Sequence, residues 1–247
     1  MFKTFQTRSS DTEIIDDLSL DGEVLEKALD YLTVLNKRLG GNQLIRNGIK
    51  HIFSSATLGP LIKESKAGQR PLTIADAACG GGDALRLIAR LAEEEALQVQ
   101  LIGLDANAAT VRYAQRASND FANIKISKQD ILSDSCTWEG VDILCCNQFL
   151  YHLSYEAISG FLEKAFRQGV SAVLINDLQR HWLPYYLFQL LCFLLNAPEV
   201  NRLDGGVAIR KAFTRKELKA LMATMQSRPY RLNWRWAFRY QLIIFSH

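Results

Sequence analysis

Three aspartates and a run of glycines carry the most readable chemistry in this 247-residue chain. The stretch LTIADAACGGGDALRLIARL, from Leu72 to Leu91, joins an apolar run ending near Asp76 to Gly80, Gly81 and Gly82, and then to a helical pattern. A strand, a glycine turn and a helix start form a nucleotide-binding crevice, in which unpaired backbone N–H groups and a positive dipole end meet the ligand. Asp105 closes the next apolar run, LIGLD, where a carboxylate can accept hydrogen bonds from both hydroxyls of a ribose. Asp130, in SKQDIL, falls just past the third run. Each acid alone could cap a helix or a turn, but three at successive strand ends point to one ligand-binding edge.

Charge narrows the ligand. The glycines are contiguous rather than spaced as G-x-G-x-x-G, and Asp83 follows them. An acid at the mouth of the turn repels a diphosphate and suits a ligand carrying positive charge. The chain has no G-K-[ST] sequence, which argues against ATP chemistry. A net charge of +3 without a dense Lys/Arg block gives no nucleic-acid footprint. Cys79, Cys136, Cys145, Cys146 and Cys192 form no C-x-x-C pair and show no metal-ligand spacing with the histidines, so we expect buried, reduced thiols in a cytoplasmic protein and no metal. The opening MFKTFQTRSSDTEIIDDL has no continuous apolar signal core, so secretion is not indicated. The run WLPYYLFQLLCFLLNAP, Trp182 to Pro198, is interrupted by Pro184 and Gln189 and is short for a membrane span. It suits a buried helix or cavity cover, with peripheral membrane contact as the alternative.

The elements that must position these groups alternate. Apolar runs LTIADA, VQLIGLD, IKISKQ, VDILCC and SAVLIND are separated by helical patterns at Asp83–Glu95, Ala108–Ser118 and Tyr155–Arg167. Such alternation predicts an α/β fold with a parallel sheet covered on both faces. Upstream, DGEVLEKALDYLTVLNKRLGG and NQLIRNGIKHIFSS read as helices, and GPLIKESKAGQRP reads as a linker. Downstream, Thr214 and Glu217 form a capping box, and YRLNWRWAF and RYQLIIFSH read as a hairpin, which makes one late strand antiparallel. The expected division is a helical extension over residues 1–70 and a main domain over 71–247 with a helical insertion at about 181–212.

With these residues in view, the chain resembles the class I S-adenosylmethionine-dependent methyltransferases. Their acid-x-Gly-x-Gly-x-Gly motif stands here as Asp76-Ala77-Ala78-Cys79-Gly80-Gly81-Gly82, with Ala78 where the first glycine usually falls. The resemblance implies a doubly wound, Rossmann-like sheet of seven strands with one antiparallel, behind a helical N-terminal extension. It also implies that S-adenosylmethionine is bound by Asp76, Ala78, Gly80 and Gly82, by Asp105 at the ribose, and by Ala106, Asp130 and Ile131 at the adenine. The segment VDILCCNQFLYHLS is similar to the fourth motif of the type 11/12 group, which places Asn147 at the cofactor. A D/N-P-P-Y motif does not occur at Cys146-Asn147-Gln148-Phe149, so nucleobase methylation is not expected. The implied acceptor is a small lipophilic or aromatic molecule.

Methyl transfer from a sulfonium needs alignment, and a base only where the acceptor must lose a proton. His152 is the candidate base, since it follows the fourth strand and an unperturbed imidazole suits proton uptake near neutrality. Tyr151, Asp177, Arg180, Trp182 and Tyr186 are the candidate acceptor contacts. Two other readings stay open: an inactive cofactor-binding or assembly protein on the same fold, and an NAD(P)-dependent oxidoreductase.

Overall fold

Apolar runs rich in Val, Ile and Leu become a single sheet, formed from β1 (Leu72–Ala77), β2 (Val99–Asp105), β3 (Ile124–Lys128), β4 (Ile143–Asn147), β5 (Ala172–Leu178), β6 (Tyr230–Arg235) and β7 (Arg239–Phe245). The order across it is β3-β2-β1-β4-β5-β7-β6. The pairs among β1 to β5 are parallel, while β7 runs antiparallel to both β5 and β6. This is the expected seven-stranded, Rossmann-like sheet with one strand reversed. The computed structural model describes residues 5–225 and 228–247.

Strand alternation sends side chains to two separate cores. Ile74, Cys145, Leu174 and Ile243 pack beneath α2 (Gly41–Phe53) and α4 (Asp83–Glu94), with α3 (Gly59–Lys66) and α5 (Ala108–Ala117) alongside. Ala75, Leu144, Val173 and Leu242 face α6 (Tyr155–Arg167) and α9 (Arg215–Thr224). The caps match the residue types: Asn107 and Ser154 accept backbone N–H bonds at the starts of α5 and α6, and Thr214 with Glu217 closes the capping box of α9.

One expectation fails here. The stretch read as a linker, residues 59–71, forms α3 over Gly59–Lys66, because Pro60 is tolerated in a first helical turn and Leu61 and Ile62 pack on the core below. The other helices form a roof. α1 (Gly22–Arg38) runs into α2, while α7 (Trp182–Leu194) and α8 (Glu199–Lys211) fill the interval between β5 and α9. Among the described residues no helix is long and apolar enough to cross a membrane.

Candidate functional site

The turn after β1 carries three left-handed residues. Ala78, Gly80 and Gly82 all take left-handed φ values, 54°, 51° and 73°. Glycine adopts this region freely, whereas alanine pays about 1 kcal/mol. The backbone therefore keeps its left-handed path despite the alanine. A Cβ added at Gly80 would meet no atom within 4 Å, so this face of the turn is open. Neighbouring β2 holds the turn in place: Cys79 N–H donates to Leu104 O at 3.0 Å, and Gly80 N–H donates to Asp105 Oδ2 at 3.0 Å.

Asp105 also accepts from Asn107 N–H at 3.0 Å through Oδ1, so each carboxylate oxygen retains a second lone pair. Burial pushes its carboxyl up and the backbone N–H bonds pull it back, leaving it above the usual range. Asp76 is more deeply placed. Burial pushes it up to about 8 against the Asn147 amide, and the charges of Asp83 and Asp105 add to the rise. A carboxyl poised there holds its proton near neutrality and yields it to a cationic neighbour.

A chain of amides reaches Asp76 across the strand ends. Gln241 on β7 donates to Asn176 on β5 at 3.3 Å, Asn176 to Asn147 on β4 at 2.9 Å, and Asn147 to Asp76 Oδ1 at 3.0 Å. The Asn147 and Asn176 carbonyls each accept an N–H, and Gln241 Nε2 also donates to Leu44 O at 2.7 Å, which fixes the orientation of the row. Only Asn147 of these amides was expected at the site.

All of this faces one cavity of about 680 Å³. Asp76, Ala78, Gly80, Asp105 and Ala106 line it, as do Asp130, Ile131 and Asn147. Asp130 Oδ1 accepts from Leu132 N–H at 2.9 Å, which sets the turn that carries Ile131. Gly82 stands behind the lining as the N-cap of α4. Tyr151 and His152, on a one-turn 3-10 helix after β4, line the far half.

The roof of that half comes from residues 8–20 and from α7 and α8. Arg8 donates to Leu153 O at 2.8 Å, to Lys211 O at 2.9 Å and to Tyr151 O. Asp204 on α8 accepts from the backbone N–H groups of Ile14 and Ile15 at 2.7 and 2.9 Å. Residues 8–20 thus form a strap across the strand ends, a feature with no local sequence signature.

Four expected acceptor contacts lie elsewhere. Arg180 is buried outside the cavity and holds Glu217 and the carbonyls of Ala212, Phe5 and Gln6, so it anchors α9 and the residues just ahead of the strap. Asp177 points to the opposite face of β5 from Asn176, is 1% exposed, and has no hydrogen-bond partner on either oxygen among the described residues. Burial pushes its carboxyl well above the usual range, against the pull of the Arg8 and Arg239 charges. Trp182 and Tyr186 sit on the outer side of α7. Helical period explains the miss: Pro184, Leu187, Phe188 and Leu191 form the stripe of α7 that lines the cavity.

The contacts of His152 fall on Nδ1, which lies 3.1 Å from Asp16 Oδ2, 3.1 Å from Lys211 Nζ and 3.8 Å from Glu13 Oε1. Asp16 Oδ2 accepts where Nδ1 carries the proton, which leaves Nε2 as the acceptor, whereas Lys211 Nζ donates where Nδ1 is bare. For Asp16 burial acts upward, but the hydrogen bond and charge of His152 outweigh it and hold the carboxyl low. Burial and the Asp16 charge drive Glu13 up to about 8, despite Lys211. Glu13, Asp16 and His152 could together ligate a metal, but Lys211 Nζ already lies 3.6 and 3.7 Å from the two carboxylates and supplies the cation.

A family model described as a methyltransferase domain matches residues 69–238. The crystal structure of an S-adenosyl-L-methionine-dependent methyltransferase assigned in Methanococcus maripaludis superposes with a TM-score of 0.55 at 12% identity, covering 92% of this chain and 95% of that one. The plantazolicin methyltransferase BpumL, in complex with SAH, gives 0.55 at 15% identity over 91% and 100%. The C-methyltransferase domain of the citrinin polyketide synthase gives 0.54 at 11% identity, and there the match spans 72% of this chain and 47% of the other. At these identities the likeness is one of fold. No curated protein matches the sequence.

Proposed function

Because the chain belongs to the methyltransferase-domain family matched over residues 69–238, we propose that its cavity binds S-adenosylmethionine and delivers the methyl group to a small apolar acceptor, by O- or C-methylation. The carrying observation is that the left-handed turn, Asp105 and Asp130 stand on one edge of the sheet and face one cavity. The lining fits the cofactor's charge, since Asp76, Asp83 and Asp105 surround the open backbone at Gly80. When bound, the cofactor supplies an electrophilic methyl on a cationic sulfur.

In this reading Asp105 receives the ribose hydroxyls on its remaining lone pairs, and Ala106, Asp130 and Ile131 hold the adenine. Asp76, fixed by the row of amides, faces the cationic end. Tyr151 and the inner stripe of α7 shape the acceptor space, and His152 Nε2 takes a proton where the acceptor is a hydroxyl. Residues 1–70 serve as the lid and 71–247 as the transferring domain, with 181–212 as its roof. The strap and roof exclude water from the reacting groups.

Calorimetry with S-adenosylhomocysteine tests the cofactor half, and micromolar or tighter binding is expected. Transfer of a radiolabelled methyl group to a panel of phenols and quinols tests the acceptor half. Binding without any transfer would favour a cofactor-binding protein, and no binding would overturn the reading.

A further inference from the structure

Seven acids line the cavity (Glu13, Asp16, Asp76, Asp83, Asp105, Asp130 and Asp204), but among the described residues only one Lys or Arg does, Arg239. This residue opens β7 opposite Leu178 of β5 and is 6% exposed. Its one side-chain hydrogen bond among the described residues runs from Nη1 to Asn36 Oδ1, at 3.5 Å. No carboxylate lies within ion-pair distance of it among the described residues. The acid whose charge it feels most, Asp177, lies on the other face of the sheet, beyond ion-pair distance. Burial lowers the guanidinium to about 10, so it is still charged at neutral pH.

A buried cation with no carboxylate in ion-pair contact is costly, and the structure makes room for it all the same. Gly41, at the start of α2, has no side chain where a Cβ would lie 2.5 Å from Arg239 Nη1. Two amides meet beside the head group, Gln148 Nε2 donating to Asn36 Oδ1 at 3.2 Å. Leu178 and Phe238 line the same region of the cavity. A planar fork of donors with apolar walls matches a carboxylate, which it can hold through two parallel bonds.

We propose that Arg239 is the carboxylate receptor of this cavity, holding the acid group of a molecule bound there. The assignment rests on the reading of the cavity as the methyl-transfer site. Two ligands of that site can bring a carboxylate: the aminoacyl end of the cofactor, or an acceptor that is an apolar acid.

The test compares the unaltered protein with Arg239→Gln. Calorimetry uses S-adenosylhomocysteine, methylthioadenosine (which lacks the amino-acid group), dodecanoate and dodecanol, with the last two measured with and without S-adenosylhomocysteine. If the cofactor supplies the carboxylate, Arg239→Gln binds S-adenosylhomocysteine at least tenfold more weakly and methylthioadenosine equally well. If the acceptor supplies it, the loss of tenfold or more falls on dodecanoate and spares dodecanol and S-adenosylhomocysteine. A general loss of packing would move all four probes together and would overturn the proposal. So would unchanged affinity for S-adenosylhomocysteine alongside unchanged, or undetectable, binding of dodecanoate. Absence of S-adenosylhomocysteine binding to the unaltered protein would instead sink the methyl-transfer reading, and the dodecanoate arm would still decide the role of Arg239. Should Arg239→Gln not fold, Gly41→Ala displaces the guanidinium with the charge retained and is read by the same criteria.

Discussion

The two halves of the cavity are built in opposite ways. The half over β1, β2 and β3 is assembled from short stretches, each a strand end and the turn that follows: Asp76 to Gly82, Asp105 to Asn107, and Asp130 to Leu132. The half over β4, β5 and β7 is assembled from distant pieces, with the strap laid on α8 and Arg239 reaching under α2. In the first, backbone N–H groups and carboxylates are matched within one or two bonds. In the second, charges are clustered, buried and only partly compensated. Recognition of an invariant ligand part suits the first arrangement, and adaptation to a particular acceptor suits the second.

The contrast can be broken at several points. The largest effect is expected from His152→Ala. If the ring acts as base for a hydroxyl acceptor, kcat falls by about 10²–10⁴ while S-adenosylhomocysteine affinity stays within twofold. An equal loss in both would move His152 into the first half.

Asp105→Ala should do the reverse, weakening S-adenosylhomocysteine by about 1–3 kcal/mol as a buried acceptor is lost. Calorimetry that finds unchanged affinity removes Asp105 from the ribose.

Glu13 sharpens the comparison through pH. Its folded pKa, about 8, lies above the ordinary 4.5, so its protonated form is favoured in the fold. Its stability contribution is fully present below pH 4.5 and is lost as pH rises through about 8. Thermal melts of Glu13→Gln should show a shallower decline across that window and a higher Tm at its upper end.

The smallest effect is at Ala78, where glycine relieves the left-handed backbone, and Ala78→Gly should stabilise by about 1 kcal/mol in denaturant melts. A destabilised variant would mean that the alanine methyl packs to advantage there.

The same division decided what could be read from residues alone. Strands β1, β2, β4 and β5 were legible because each apolar run gives way at its ligand-facing end to a polar residue, Asp76, Asp105, Asn147 and Asn176, while Asp130 follows β3. The strap was not, since Ile14 meets Asp204 across 190 positions and no local pattern encodes that contact. On α7 the aromatic residues drew attention by type, yet the inner face belongs to Pro184, Leu187, Phe188 and Leu191, which helical spacing identifies. Arg180, read as an acceptor contact, is spent on carbonyls and Glu217. Arg239 has no motif around it, and it stands out as the one Lys or Arg among the described lining residues, beside seven acids.

The strap also imposes an order on synthesis. Residues 8–16 leave the ribosome long before Asp204, Arg210 and Lys211, the groups that receive them. Through most of translation this segment has nowhere to dock, and the strand ends stand open beneath it. The cover over the cavity is therefore made first and fitted late, after the floor it protects has been laid down.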